Sequence, residues 1–233
     1  MSSYGEDLAN IHHRGFAGFS ESASPGLLRL MARAGIRHGV AVDLGCGSGE
    51  WLRELNRAGF RTIGVEASRS LARIARKTAP RATVKVGSVY EVDVPRCDVI
   101  TALGEVLSYL PARPIAPWFR RVSRALRPGG LFVFDVLVAG ARPMRYRTWH
   151  SGSGWAVLVS VSERGRRVTR EITTFRRVGE TYRRTRERHV LRFFSRDRLC
   201  DALHSAGFSV RVSRGYGELE LPTRRLAFVA RKR

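Results

Sequence analysis

Only three cysteines occur in 233 residues, Cys46, Cys97 and Cys200, odd in number and far apart. That spacing excludes a disulfide framework and a C-x-x-C metal or redox site, so no metal is expected. A reducing cytoplasm is the expected compartment. No apolar run approaches the ~20 residues that cross a bilayer, which excludes a membrane partner at this level. The first residues, Met1 to Asp7, carry neither a basic segment nor an apolar one, so no signal peptide is expected. Lysine is as scarce as cysteine: Lys77, Lys85 and Lys232 stand against thirty-nine arginines. Acids are few as well, 20 against 42 bases, a net charge of +22. Such a balance marks a nucleic-acid binder or the arginine bias of a GC-rich coding sequence. The arginines spread along the whole chain and few aromatics interleave with them, which favours the second reading. A nucleic acid stays the second candidate partner.

What is present is concentrated in one stretch. Val40-Ala41-Val42-Asp43-Leu44 reads as an apolar strand, and Gly45-Cys46-Gly47-Ser48-Gly49 as a turn opening a helix at Glu50. A second strand, Arg61 to Glu66, ends in an acid 21 positions after Gly45. This is the layout of a nucleoside-binding βαβ unit, in which an acid accepts from ribose hydroxyls. A glycine there lets backbone turn sharply and lie against a ligand. A dinucleotide would put its pyrophosphate at the helix N-terminus. The carboxylate of Glu50 opposes that, so a ligand without phosphate fits better. The alternative is a tight strand-helix turn that binds nothing.

Strand and helix signals go on alternating. Trp51, Leu52 and Leu55 share a helix face; Ser68 is a candidate N-cap for a helix carrying Leu71, Ile74 and Ala75. Thr83 to Val86 and Asp98 to Leu103 read as strands three and four. Trp118 to Leu126 reads as a helix ended by Arg127-Pro128-Gly129-Gly130, before a fifth strand over Leu131 to Val136. Trp155 to Ser162, Val168 to Val178 and Tyr182 to Phe193 then read as three strands joined by turns too short for crossover helices, hence antiparallel. Ser195 caps a further helix, and Phe208 to Ser213 with Leu226 to Ala230 form a closing hairpin. At 233 residues and 43% apolar content one domain is expected.

Motif, order, the Leu126 to Gly130 turn and Ala206-Gly207-Phe208 together resemble the class I S-adenosylmethionine (SAM) methyltransferases over nearly the whole chain. The resemblance implies an α/β fold: a Rossmann-like doubly wound sheet, mostly parallel with an antiparallel last strand, plus a small appended antiparallel sheet. Residues 1–38 would be a helical lid, 39–139 and 193–233 the core, and 140–192 an insertion over the active site. That insertion resembles the one in small-molecule N-methyltransferases. The implied activity is methyl transfer from SAM to nitrogen or oxygen of a small metabolite. RNA modification and non-catalytic SAM binding are the alternatives, and the chain would be a monomer or a homodimer.

The resemblance also suggests roles. Gly45, Cys46, Gly47 and Gly49 would form the cofactor loop and Glu66, with Ala67 beside it, the ribose site. Asp43 would support the loop and the methionyl amine. Ser88 stands where many members carry the acid that bonds the adenine amino group and would accept that bond through its hydroxyl, and Val89 would stack on adenine. Leu103 ends the fourth strand and Gly104 and Glu105 follow it near the transferred methyl; Glu105 is a candidate base or simply a helix N-terminal acid. In the N-terminal segment Tyr4 and Arg14 are candidates for the cofactor, Arg14 on its carboxylate, and His12 for general-base work. Tyr109, Trp149, Trp155 and His189 are candidate walls of the acceptor pocket, or packing residues. Alternation places Arg184, Arg186 and Arg188 on one face of the last insertion strand, and Glu187 and His189 on the other.

Overall fold

The computed structural model describes residues 4–233 apart from 110, 112 and 113. Helices α1 (Glu6–Phe16) and α2 (Gly18–Arg33) precede β1 (Gly39–Leu44), α3 (Glu50–Arg57), β2 (Phe60–Glu66), α4 (Arg69–Thr78), β3 (Thr83–Val86), β4 (Cys97–Ala102), α5 (Ala116–Ala125) and β5 (Leu126–Leu137). Four strands follow: β6 (Arg145–Gly152), β7 (Trp155–Arg164), β8 (Arg167–Val178) and β9 (Thr181–Arg192). The chain closes with α6 (Arg196–Ser205), β10 (Phe208–Ser213), a ribbon of β11 (Gly215–Tyr216) and β12 (Leu219–Glu220), and β13 (Arg225–Lys232).

The central sheet has the order β10-β13-β5-β4-β1-β2-β3. Strands β5, β4, β1, β2 and β3 pair in parallel, and β13 runs antiparallel to both β5 and β10. Both faces are covered, as a parallel sheet requires. Strand alternation splits the core in two. Val40, Val42, Leu44, Phe132 and Phe134 pack on Trp118, Phe119 and Leu203 on one side. Ala41, Val99, Leu131 and Val133 pack on Leu27, Met31 and Trp51 on the other. Each large side chain so buried contributes about 1.5–3 kcal/mol before entropy is counted.

Three expectations need correction. Helix α2 is not part of a lid: Ala23, Leu27 and Met31 are core residues, which leaves α1, with Tyr4 and Gly5 ahead of it, over the loop. The turn Arg127 to Gly130 does not end a helix; α5 stops at Ala125, and the turn lies within β5, at a register shift opposite Cys97 and Val99. The insertion has four strands, not three. β6 went unread because its residues are nearly all exposed and carry no apolar alternation; full-length pairing with β7 holds it in place. Strand β4 also stops one residue short of Leu103.

The inner face of the four-stranded sheet is apolar at two places. Trp155, Val157 and Ile172 meet Leu8 and Ile11 of α1. Val161, Val168 and Leu191 meet Leu137 at the end of β5. The insertion therefore sits over the C-terminal strand ends, where open parallel sheets place their ligands, with α1 between it and α4.

Candidate active site

The glycines of the loop have different reasons to be glycine. All three lie at positive φ: 75° at Gly45, 55° at Gly47 and 89° at Gly49. A Cβ on Gly45 would stand 2.5 Å from Val106, and one on Gly49 2.9 Å from Ala75, so these two permit packing. A Cβ on Gly47 would find only the His12 ring, at 3.9 Å, among the described residues. Gly47 thus borders open space, as do Gly87 after β3 and Gly104 after β4. The loop is pinned by the Gly45 and Cys46 N–H groups, which donate to the Val65 carbonyl at 2.7 and 3.0 Å. The Cys46 side chain packs with Leu52 and Ala72, away from that space.

Two buried acids flank the loop. Glu66 accepts from Gly47 N at 3.0 Å and from Ser68 N at 2.7 Å. Burial pushes its carboxyl above the usual range, and the backbone donors from Ser68, Gly47 and Ala67 oppose that shift. Ala67 itself is exposed. Asp43 accepts from Thr101 Oγ1 at 2.6 Å, and Thr101 is in turn aligned by Trp51 Nε1 at 3.1 Å. Burial raises Asp43 to about 7, against the Thr101 hydrogen bond and with the help of the Glu66 charge. A buried carboxyl held in that range is half prepared for a cationic partner, since an ammonium would favour its ionised form. Glu50 opens α3 with its carboxylate on Ser48 Oγ at 2.8 Å and on His13 Nδ1 at 2.8 Å. A pyrophosphate has no place at that helix end.

The two adenine-side candidates have partners within the chain. Val89 belongs to the main core, and its carbonyl accepts from Trp118 Nε1 at 3.1 Å. Ser88 Oγ accepts from Tyr90 N at 3.2 Å in a local turn.

Helix α1 closes over the loop by polar contacts at both ends. Ser68 Oγ donates to the Tyr4 carbonyl at 2.6 Å. Asp7, fully buried, takes Arg183 through two hydrogen bonds of 2.7 and 2.6 Å and a further one from Arg176. The Arg183 and Arg176 hydrogen bonds hold its carboxyl below the usual range despite burial. Successive histidines point different ways: His13 to Glu50, His12 to Gly47. His12 Nδ1 is buried and has no hydrogen-bond partner among the described residues. Burial also lowers its pKa.

On the acceptor side, Gly104 N and Glu105 N donate to the two oxygens of Asp135 at 2.8 and 2.9 Å. Asp135 also takes Tyr216 Oη at 2.8 Å and Arg225 at 2.5 and 3.0 Å. Glu105 precedes a short 3-10 turn, Val106–Tyr109, yet its side chain turns away from it. It accepts from Arg170 at 2.9 Å and faces Arg225 at 3.5 Å. A guanidinium thus stands at each Glu105 oxygen. Tyr109 Oη stands 3.5 Å from His189 Nδ1, and His189 Nε2 lies 2.9 Å from Glu187. Tyr4 packs edge-on against both His12 and His189, at 5.3 and 5.0 Å between ring centres. Burial raises the hydroxyls of Tyr4 and Tyr109.

Two sequence candidates fall elsewhere. Arg14 donates to the Ser153 carbonyl at 2.9 Å, which ties α1 to the β6–β7 turn. Trp149 is 69% exposed on the outer face of the insertion, so it walls nothing. Trp155 lies within the α1–insertion core, where a Cβ on Gly15 would stand 2.6 Å from its ring. Asp135, Arg170 and Arg225 went unread: each sits in an ordinary strand pattern, and only chain crossings bring them to Glu105. Leu103, half-buried, packs on the α2 side of the core.

The residues suit SAM in one respect that the geometry tests directly: an orphaned buried nitrogen, His12 Nδ1, and an open glycine, Gly47, face the same space beside two acids.

Known proteins extend the picture. A curated relative, the ubiquinone biosynthesis O-methyltransferase of Alkalilimnicola ehrlichii, is 29% identical over 103 residues, 41% of this chain; the match spans only 40% of that relative's length. The sugar N-methyltransferase KedS8 of Streptoalloteichus superposes with a TM-score of 0.81 at 20% identity, over 100% of this chain and 97% of its own. SAM-bound CalS10 of Micromonospora echinaspora, an amino pentose methyltransferase, superposes with 0.76 at 22% identity, over 97% and 95%. These two likenesses are of fold. A family model described as a methyltransferase domain matches residues 13–212. Because that match spans most of the chain, with the glycine loop, both acids and the insertion, the chain belongs to the class I SAM-dependent methyltransferase family.

Proposed function

We propose that this chain transfers a methyl group from SAM to a nitrogen, or else an oxygen, of a small metabolite. The observation that carries the reading is the two-sidedness of the insertion. Its inner face brings Arg170, Glu187 and His189 to Tyr4, Glu105 and Tyr109 under α1, whereas Arg184, Arg186 and Arg188 lie on the outer face. A strand pleat separates the two sets. An RNA gripped by those arginines would lie across the sheet from the loop, which speaks against RNA as the acceptor. The sugar N-methyltransferase and the amino pentose methyltransferase among the structural neighbours support nitrogen.

SAM, when bound, supplies an electrophilic methyl on a sulfonium. Gly47 and Glu66 would hold its nucleoside, Asp43 and His12 its polar groups near the loop. Tyr4 and α1 would exclude water, and the pair Asp135 and Arg225 would hold the Gly104–Glu105 corner against it. Positioning in a closed site is the main catalytic demand of such a displacement. Residue roles 1–38, 39–139 with 193–233, and 140–192 then divide into cover, cofactor core and acceptor platform, with α2 moved to the core.

The test is cofactor-dependent labelling of a cell extract, before and after nuclease, followed by mass identification of the product. A labelled small molecule is expected in both. Label found only in nuclease-sensitive material would overturn the small-molecule reading.

A further inference from the structure

Glu187 has one oxygen on each of two different devices. Oε2 lies 2.9 Å from His189 Nε2, and Oε1 accepts the Gly5 backbone N–H at 2.9 Å. Gly5 is the N-cap of α1, so this bond joins the start of the cover to β9. The neighbouring residue, Tyr4, is bonded through its carbonyl to Ser68, whose own N–H is held by the ribose-site acid Glu66. A continuous set of contacts thus runs from Glu66 through Ser68, Tyr4 and Gly5 to Glu187, His189 and Tyr109. Residues 187 and 189 share the inner face of β9 by simple alternation, and His189 is fully buried.

We infer that His189, reached through Tyr109, takes the proton that leaves the methyl acceptor, and that Glu187 is the positioning residue that aligns His189 only while the cover is closed. This rests on the methyl-transfer reading above. An imidazole has two possible neutral tautomers, and a carboxylate at Nε2 selects the one with hydrogen there. The lone pair then sits on Nδ1, toward Tyr109 Oη at 3.5 Å, a separation of the kind that tightens once a substrate is held. As the acceptor nitrogen gains the methyl, it loses one proton to the Tyr109 oxygen. Tyr109 passes its own hydroxyl proton to Nδ1 and is left unchanged. His189 becomes an imidazolium beside the Glu187 carboxylate and releases its proton to solvent when the cover opens. The other candidate groups are engaged otherwise: Glu105 faces two arginines, and His12 points to the loop. The charged and titratable groups around the relay are Glu187, Glu105, Arg170 and the hydroxyl of Tyr4.

Three variants of the full chain separate the roles. Glu187→Gln retains an oxygen for Gly5 N but presents an amide N–H to His189, which forces the wrong tautomer. Its kcat is expected to fall ~10²–10⁴-fold, with the KM for acceptor, the SAM Kd and amide-exchange protection of residues 5–16 near wild type. Glu187→Ala should lose turnover as well, and also speed exchange across residues 5–16 and weaken SAM severalfold. Tyr109→Phe leaves both Glu187 bonds in place, so it guards against a folding artefact; turnover should drop with exchange unaltered. Wild-type turnover in Glu187→Gln or in Tyr109→Phe, or unaltered exchange in Glu187→Ala, overturns the inference. A wild-type chain that binds SAM and methylates no acceptor would instead overturn the methyl-transfer reading beneath it.

Discussion

The Glu105 backbone N–H donates to the buried Asp135 carboxylate at 2.9 Å, and in that grip Glu105 sits at φ 66°, a left-handed conformation unusual for a residue with a side chain. Strain of this kind persists where surrounding bonds over-determine it, and here it turns the Glu105 side chain toward Arg170 and Arg225. Removing Asp135 would release the corner and leave the buried Arg225 with only the longer contact to Glu105 at 3.5 Å. Asp135→Ala should lose ~3–5 kcal/mol of stability by urea unfolding, the usual consequence of stranding a buried charge. A loss below ~1 kcal/mol would show that other contacts hold the corner.

The loop glycines should divide by mechanism. Gly47→Val should lose ~1–3 kcal/mol to backbone strain at φ 55° yet still fold, and should fail to bind SAM, because its new side chain occupies the open space beside His12. Gly45→Val should instead lose stability outright, since its Cβ meets Val106 at 2.5 Å. Calorimetry on a folded Gly47→Val protein that still bound SAM would sink the cradle assignment.

Glu66→Ala should weaken SAM by ~1.5–3 kcal/mol, the scale of a hydrogen bond to a charged group. NAD should not compete, given the Glu50 carboxylate at the α3 N-terminus. Competition titration decides this, and tight NAD binding would mean the loop had been misread.

Asp43 gives stability a pH dependence with a definite sign. Its carboxyl rises from ~3.9 in the unfolded chain to about 7 in the fold. A raised carboxyl favours the fold while protonated, so this contribution is whole below pH ~4 and is lost as pH climbs through about 7. The Tm of the free protein should decline across that interval, by an amount worth at most ~4 kcal/mol. Asp43→Asn should flatten the decline. Stabilisation by SAM should grow with pH over the same range if its ammonium sits by Asp43. An identical pH profile in Asp43→Asn would remove Asp43 from the account.

Neutralising Arg184, Arg186 and Arg188 together should leave small-molecule turnover within severalfold of wild type, because all three project from the outer face of β9. Any RNA binding should be weak and salt-dependent, with a log-log slope of about −0.7 per neutralised phosphate on a single strand. A salt-resistant RNA complex that the protein methylates would return RNA to the position of acceptor.

Local patterns in the sequence determined a good deal by themselves. The βαβ opening, the Ser68 and Ser195 caps and the alternation along β9 depend on neighbours within a few positions, and each stands in the structure as read. Sequence alone also named His189 and Glu187 as sharing a face. It did not show that α2 is core, that β6 exists, that Arg14 ties α1 to Ser153, or that Trp149 lies on the outer face. Those outcomes depend on which face of a helix or sheet meets another element, and no short-range rule carries that. The Glu187 bond to Gly5 closes 182 residues of chain, and the Arg170 bond to Glu105 closes 65. Periodicity assigns a residue to a face; only the packing of the faces decides that the partner of Glu105 is an arginine and the partner of Glu187 is the start of the cover.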